Sequence, residues 1–376
     1  MNVGIFLGHP AHFHNLKIVA YNLQAAGHNV YFAIKQKDIL EDLCKEAGYP
    51  YFKLREKRGN SKLALVKSVL GMEYLMCKFI HKNKIDLLIG TTLSFAAAKI
   101  CRIPVFAIAE DDANIAPRYA KMVYPYATEI LSPVTCNNGK WDNKTTHYPG
   151  FQKLAYLHPK RFTPNSEVLK RYKIDPTKPY FLIRFAKLNA HHDTGVQGIS
   201  TEVAQHIIDL LSPHGQIYIT SERELEPQFE QYRLHINPLD IHHVMAFATL
   251  YIGDSQSMAV EAAMLGVPSL RFNDFVGKKK IGVMEELEHT YGLTYGISSH
   301  EPERLYAKIQ ELLRLIGGEA DGQKATGLRS EFQARRQRML VDKIDVTAFF
   351  TWFIEHYPAS ATQAKNADAA FWQQFK

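Results

Sequence analysis

The chain has 376 residues, 46% hydrophobic and 22% charged, with a formal net charge of +7 and a pI near 9.0. That composition excludes a disordered chain and leaves room for two domains with their own cores. The positive balance favours anionic partners such as phosphate, nucleic acid or an acidic bilayer, or is only a modest surplus of surface lysine. No apolar run reaches the roughly 18 residues of a membrane span. The opening Met1-Asn-Val-Gly-Ile-Phe-Leu-Gly8 lacks the basic start and long apolar core of a signal peptide. Cys44, Cys77, Cys101 and Cys136 are scattered without a C-x-x-C pair, which suits reduced, mostly buried thiols and a cytoplasmic setting.

Val3–Leu7 reads as a buried strand, Gly8–Asn15 as a loop, and Asn15–Ala26 as a helix with Leu16, Val19, Ala20 and Leu23 on one face. Val30–Ile34 is the next strand, so the chain opens as the βαβ unit of a parallel sheet. Neither G-x-G-x-x-G nor a Walker A loop is present, which weighs against simple NAD-binding and ATPase readings. His9, His12 and His14 follow the first strand, where open α/β sheets bind ligands. They read as catalytic or acceptor-contacting groups, as loop or cap residues, or as metal ligands without partners of recognisable spacing. The basic amphipathic stretch Glu56–Lys84 can dock on anionic lipid headgroups or form an ordinary surface helix. Strands follow at Asp86–Ile89 and Pro104–Ile108, the second ending in Glu110, Asp111 and Asp112. Acids there can serve as a general base or contact a hydroxylated acceptor. Neighbours on extended backbone point opposite ways, which argues against Asp111 and Asp112 sharing a metal. A helix through about Ala127, a strand at Glu129–Ser132 and an exposed loop at Cys136–Thr146 come next. Tyr148–Gly150 and Leu157–Pro164 read as an interdomain connector.

Pro179–Arg184 begins a second sheet and runs into a polar loop. Arg184 and Lys187 can pair with a diphosphate, and His191, His192 and Asp193 can orient a sugar or hold a partner side chain. The alternative is a loop held by its own hydrogen bonds. Gln216–Thr220 is a strand ending at Ser221, counted with the donor side, and a short helix is expected at Val244–Ala248. His242 and His243, adjacent in sequence, cannot both face one ligand. The most informative stretch is Tyr251–Leu270: a strand to Ile252, a turn at Gly253-Asp254, a helix from Ser255 or Gln256, a stop at Gly266, then another strand. A helix that starts directly after a parallel strand offers unpaired N–H groups and a positive dipole end, which is an anion site. Glu261, a turn and a half further in, can accept hydrogen bonds from sugar hydroxyls. The plainer reading is a βα unit with Ser255 as N-cap and Glu261 solvated. Phe275–Gly282 is a basic loop that can clamp phosphate or acceptor or stay solvated. Helices are expected at Glu301–Gly317, Ser330–Ile344 and Asp345–His356, with residues after Pro358 mobile.

The motif Gly253-Asp-Ser-x-Ser-Met-Ala-x-Glu-Ala-Ala-x-Leu-Gly-x-Pro268 resembles the donor-binding segment of GT-B nucleotide-sugar enzymes. Related types are the lipid-linked N-acetylglucosaminyltransferase of peptidoglycan synthesis and the non-hydrolysing UDP-N-acetylglucosamine 2-epimerases. Arg184-Phe-x-x-x-Asn-Ala-His-His-Asp193 resembles a poorly characterised prokaryotic family related to both. The resemblance implies an α/β, GT-B-like fold of two Rossmann-like domains whose parallel sheets face across a cleft. It puts an acceptor domain at 1–155, a donor domain at 156–344, a helix crossing back at 345–358 and a tail at 359–376. It implies diphosphate contacts from the turn at Asp254, Ser255, Gln256 and Ser257, ribose contacts from Glu261, and base contacts from backbone near Leu239 and Ile241. It aligns His12 with a loop histidine of the peptidoglycan transferase, without that loop's flanking glycine pairs, and Glu110 and Asn114 echo the same enzyme.

The leading expectation is a metal-independent glycosyltransferase using a nucleotide sugar, most simply a UDP-sugar, with no cofactor. The helix start, Arg184 and Lys187 would stabilise the departing diphosphate, and His12, Glu110, Asp111 or Asp112 would activate the acceptor. His9 and His14 belong to the acceptor side. The acceptor is expected to be a saccharide or lipid-linked, in surface polysaccharide or glycolipid synthesis, with peripheral contact to an anionic membrane. A UDP-sugar 2-epimerase is the alternative, although the Gly-Thr-Arg-Pro-Glu opening of those enzymes is missing. A non-catalytic nucleotide- or RNA-binding protein is the third reading, but no RNA-binding motif is present and nucleic acid is not expected.

Overall fold

In a computed structural model the chain divides into two compact units, Met1–Tyr156 with Lys343–Lys376, and Leu157–Asp342. The structure describes residues 1–35, 40–54, 62–90, 95–186, 198–278, 280–316 and 322–376. Each unit is an α/β layer structure on a parallel sheet. The first holds β1 (Asn2–Leu7), β2 (Asn29–Lys35), β3 (Tyr51–Leu54), β4 (Leu87–Gly90), β5 (Val105–Ile108), β6 (Glu129–Pro133) and β7 (Thr145–Tyr148), in the order β3-β2-β1-β4-β5-β6-β7. The second holds β8 (Tyr180–Phe185), β9 (Gln216–Ser221), β10 (Leu250–Gly253), β11 (Ser269–Phe272) and β12 (Tyr295–Ile297), in the order β12-β11-β10-β8-β9. The central strands β4, β5, β6, β10 and β11 are buried along their whole length, as expected where helices cover both faces of a parallel sheet.

Strand order reverses between β1 and β4 in the first unit and between β8 and β10 in the second. Such switch points open a crevice at the carboxyl ends of the strands. The loops there are Gly8–His9 after β1, and Ala186 and Asp254–Ser255 after β8 and β10.

Several boundaries differ from those read in the sequence. The first helix begins at Pro10, not Asn15, because proline suits the first helical position and His9 caps it with its side chain. His12 and His14 are therefore helical. The edge strands β3 and β7 are short and partly polar, and neither is apparent from periodicity. The stretch Cys136–Thr146, read as a loop, contains a 3-10 turn at Gly139–Lys144 and the start of β7. The last helix of the second unit starts at Gly322, inside the expected loop.

Residues 359–376, expected to be a mobile tail, carry helices at Ala359–Lys365 and Ala369–Gln373. Ser360 and Phe375 are buried, and the Asp345 N–H donates to the Phe375 carbonyl at 2.7 Å. Phe349, Trp372 and Phe375 form an aromatic cluster with the Val346–Glu355 helix, apolar area that keeps the tail in place.

The Lys62–Lys82 helix buries Met72, Met76, Phe79 and Ile80 while Val66, Leu70 and Tyr74 are 58%, 64% and 69% exposed. Lys57 and Arg58 lie outside the described residues. Among the described residues no helix is long and apolar enough to cross a membrane.

Candidate functional site

The second unit's switch point brings together Arg184 at the end of β8 with Asp254, Ser255, Gln256, Ser257 and Glu261 after β10. Ser255 caps the Gln256–Leu265 helix through its hydroxyl, which accepts from the Met258 N–H, and Gly266 ends it at φ +68°, a left-handed conformation natural to glycine. Gln256 is half-buried and Ser257 exposed at its first turn. The helix start thus presents N–H groups and its positive end at the strand ends. Arg184, at the end of β8, pairs with the largely exposed Glu222.

Gly253 is required by its neighbours. A Cβ there would lie 2.4 Å from the hydroxyl of Tyr251 and 3.0 Å from the Cβ of Arg184. Tyr251 is fully buried, and burial pushes its phenol well above the usual range, with Arg184, Asp254, Glu261 and Glu222 acting on it electrostatically. These side chains therefore share one electrostatic neighbourhood.

Asp254 is not a surface ligand group but a buried brace. It is 2% exposed, and its carboxylate accepts from the N–H of Ala186 at 2.6 Å and of Ile199 at 3.4 Å, the residues flanking 187–197. Arg223 completes the clasp by donating to the Ile199 carbonyl at 2.7 Å and lying over the Phe185 ring. The donor role expected for Asp254 becomes one of tying Ala186 to Ile199, since its oxygens already accept from both. Lys187, His191, His192 and Asp193 lie outside the described residues.

Burial pushes the Asp254 carboxyl up to about 6, against the two N–H bonds and the Arg223 charge that favour the anion. A folded-state value above the ordinary 3.8 means that the native state holds the proton longer than the unfolded chain does. The stability from this group is present below about pH 4 and lost as pH rises through about 6. Asp254→Asn should remove that component, so the stability difference between variant and wild type should change by up to about 3 kcal/mol between pH 4 and 7. Urea unfolding across that range checks it, and parallel pH profiles would contradict the account.

Glu261 is 8% exposed, so it is not solvated as the plainer reading had it. Its Oε2 lies 3.4 Å from Nε2 of His242. Of the two adjacent histidines that cannot both face one ligand, His242 is therefore the one turned to Glu261, which the sequence does not distinguish. His243 is the one that packs and caps, accepting from the Asn165 N–H at 3.1 Å and packing on Phe162. The Ser221 hydroxyl is spent on Arg223's backbone, and the Leu239 N–H on the Asn237 side chain. Ile241 begins the Ile241–Phe247 helix beside them.

In the first unit, Nδ1 of His9 accepts from the Ala11 N–H and Nδ1 of His12 from the Gly8 N–H, at 3.2 and 3.3 Å. Where Nδ1 accepts such a bond, a neutral ring carries its proton on Nε2. In that state the lone pair of His12 is turned to the Gly8 N–H. His14 is buried, packed on Phe13 and Tyr156, so a contact with an acceptor is not its position. Glu110 lies 3.6 Å from the buried Lys153 ammonium, a partner not foreseen in the sequence. Asp112 is buried and accepts from the Asn137 N–H, which gives it a structural part in place of a catalytic one. Asp111 is exposed, so the pair does point apart.

The sequence matches no protein-family model, and it matches no curated protein. The fold has many solved counterparts. S. aureus MnaA, solved with UDP, matches 96% of this chain and 98% of its own at 12% identity and a TM-score of 0.65. A Neisseria meningitidis UDP-GlcNAc 2-epimerase, solved with UDP-GlcNAc, matches 91% and 99% at 13% identity and 0.59. The spinosyn rhamnosyltransferase SpnG, solved with spinosyn aglycone, matches 94% and 99% at 13% identity and 0.58. The fold is that of the GT-B-like nucleotide-sugar enzymes, which include both epimerases and transferases.

Proposed function

We propose that the chain is a nucleotide-sugar enzyme and that its second unit binds the donor. The observation that carries this is the switch point between β8 and β10, where a capped ten-residue helix start stands with Arg184 on one side and Glu261 further along. Glu261 is five residues in from Gln256, about 7.5 Å along the axis. That is of the order by which a ribose separates its 2′ and 3′ hydroxyls from its 5′ phosphates. The diphosphate would take the helix N–H groups and draw Arg184 from its exposed partner Glu222, and Glu261 would accept from the ribose.

The reaction proposed is glycosyl transfer: the bond from the anomeric carbon to the diphosphate breaks and a bond to the acceptor oxygen forms. The helix start and Arg184 would stabilise the charge growing on the leaving diphosphate. The acceptor proton would go to Glu110 or Asp111, the acids remaining at the end of β5. Epimerisation at C2 is the second reading, favoured by the carboxylate of Glu110 at a strand end and by the several epimerases that share the fold. Incubation with UDP-GlcNAc followed by NMR separates the two. A new C2 epimer without acceptor supports epimerisation, UDP released only with an acceptor supports transfer, and neither product over a donor panel removes both.

Peripheral membrane contact is proposed for the Lys62–Lys82 helix, whose exposed Val66, Leu70 and Tyr74 follow helical spacing beside Lys67, Lys78 and Lys82. Leu70→Glu should lower cosedimentation with phosphatidylglycerol vesicles several-fold. Equal binding of wild type and variant, or none by wild type, would dismiss the contact.

A further inference from the structure

Strand β11 reads Ser-Leu-Arg-Phe and is buried throughout, so Arg271 holds a guanidinium inside a sheet at 5% exposure. A buried cation is costly unless its donors are used. The neighbouring strands make room for it. Of the two glycines in register with Arg271, Gly253 of β10 and Gly296 of β12, it is Gly296 that clears it, since a Cβ there would lie 2.7 Å from Nη2.

The guanidinium is only partly satisfied. Nη1 donates to Oε1 of Gln256 at 3.4 Å, Nη2 lies 4.0 Å from Oε2 of Glu288, and Nε has no partner among the described residues. The two oxygens of Glu288 share the Gly296 N–H. Around the adjoining cavity of about 260 Å³, Glu301 is paired with Arg304, while Glu288 and Glu285 act on the Arg271 charge from a distance without a close hydrogen bond to it. Arg271 therefore brings a buried positive charge with an unused Nε–H to the side chain of Gln256, the first residue of the Gln256–Leu265 helix.

Arginine has donors only. Gln256 must then turn its oxygen to Arg271, which leaves its NH2 as the end of the amide not engaged by the guanidinium. An amide that could otherwise face either way is fixed as a donor.

We propose that Arg271 is a positioning residue of the anion site: it sets Gln256 as a donor, adds a desolvated positive charge behind the helix start, and so makes the site selective for a diphosphate. The assignment rests on the diphosphate reading above. It is independent of which sugar is carried and of whether the sugar is transferred or epimerised.

Isothermal titration of wild type, Arg271→Met, Arg271→Lys and Gln256→Glu with UDP, inorganic pyrophosphate and uridine tests it. Arg271→Met should weaken UDP and pyrophosphate at least tenfold and change uridine less than twofold. Arg271→Lys, which keeps the charge and loses the fork, should fall between. Gln256→Glu, which pairs better with Arg271 but presents oxygens to the phosphates, should keep or raise Tm while weakening UDP to a similar degree. If the variants weaken UDP and uridine by one common factor, or leave UDP unchanged, Arg271 is only structural and this assignment fails alone. If wild type binds neither UDP nor pyrophosphate, the diphosphate reading fails with it.

Discussion

Glu261→Ala is expected to weaken UDP binding tenfold to a hundredfold while leaving the fold in place. A carboxylate that accepts from two ribose hydroxyls contributes about 1.5–3 kcal/mol per charged hydrogen bond, less what the same oxygens gain elsewhere in the free protein. Here one oxygen already lies 3.4 Å from His242, so part of the gain is present before the ligand arrives. The diagnostic is the comparison with 2′,3′-dideoxy-UDP. Wild type should bind UDP more tightly than the dideoxy analogue, and Glu261→Ala should bind the two alike. If the mutant still discriminates between them, Glu261 does not touch the ribose and its burial against His242 is only packing.

Lys153→Met should destabilise the first unit by about 3 kcal/mol, the lower end of the cost of removing one partner from a buried pair. Lys153 has a side chain 4% exposed and lies 3.6 Å from a Glu110 carboxylate that is 18% exposed. Removing the ammonium leaves Glu110 in a poorly solvated position without that cation. The double variant Lys153→Met, Glu110→Gln should recover most of the loss, because the charge is removed together with its partner. A single variant as stable as wild type in urea would mean that the pair is solvated enough to contribute nothing, as surface pairs do.

The parts of this architecture that follow local rules are legible in the sequence. The small residues and the capping serine of Ser255–Gly266 foretell the helix, its start and its left-handed stop, and the alternation of buried strands and helices foretells two parallel sheets. What escapes is set by contacts distant in sequence. Asp254 reads as a ligand group because its N–H partners, Ala186 and Ile199, are 68 and 55 residues away. Arg271 looks like one polar residue in a short strand until Gly296 and Gln256 surround it. Lys153 gives no sign of its link to Glu110. The early start of the first helix is a different kind of miss, since Pro10 after His9 was a readable signal for it. The aromatic run Phe371, Trp372 and Phe375 was a similar signal for an anchored end of the chain.

The central claim is that a nucleoside diphosphate binds at the start of the Gln256–Leu265 helix. Its most direct test is the thermal stability of the whole chain with UDP and UDP-sugars, wild type beside Glu261→Ala. A ligand that binds only the folded state at a hundred times its Kd adds about 2.7 kcal/mol to stability. The account predicts a rise in Tm that grows with UDP concentration in wild type and is much reduced in the variant. An unchanged Tm across all nucleotides at millimolar concentration, or an equal rise in both proteins, would contradict it.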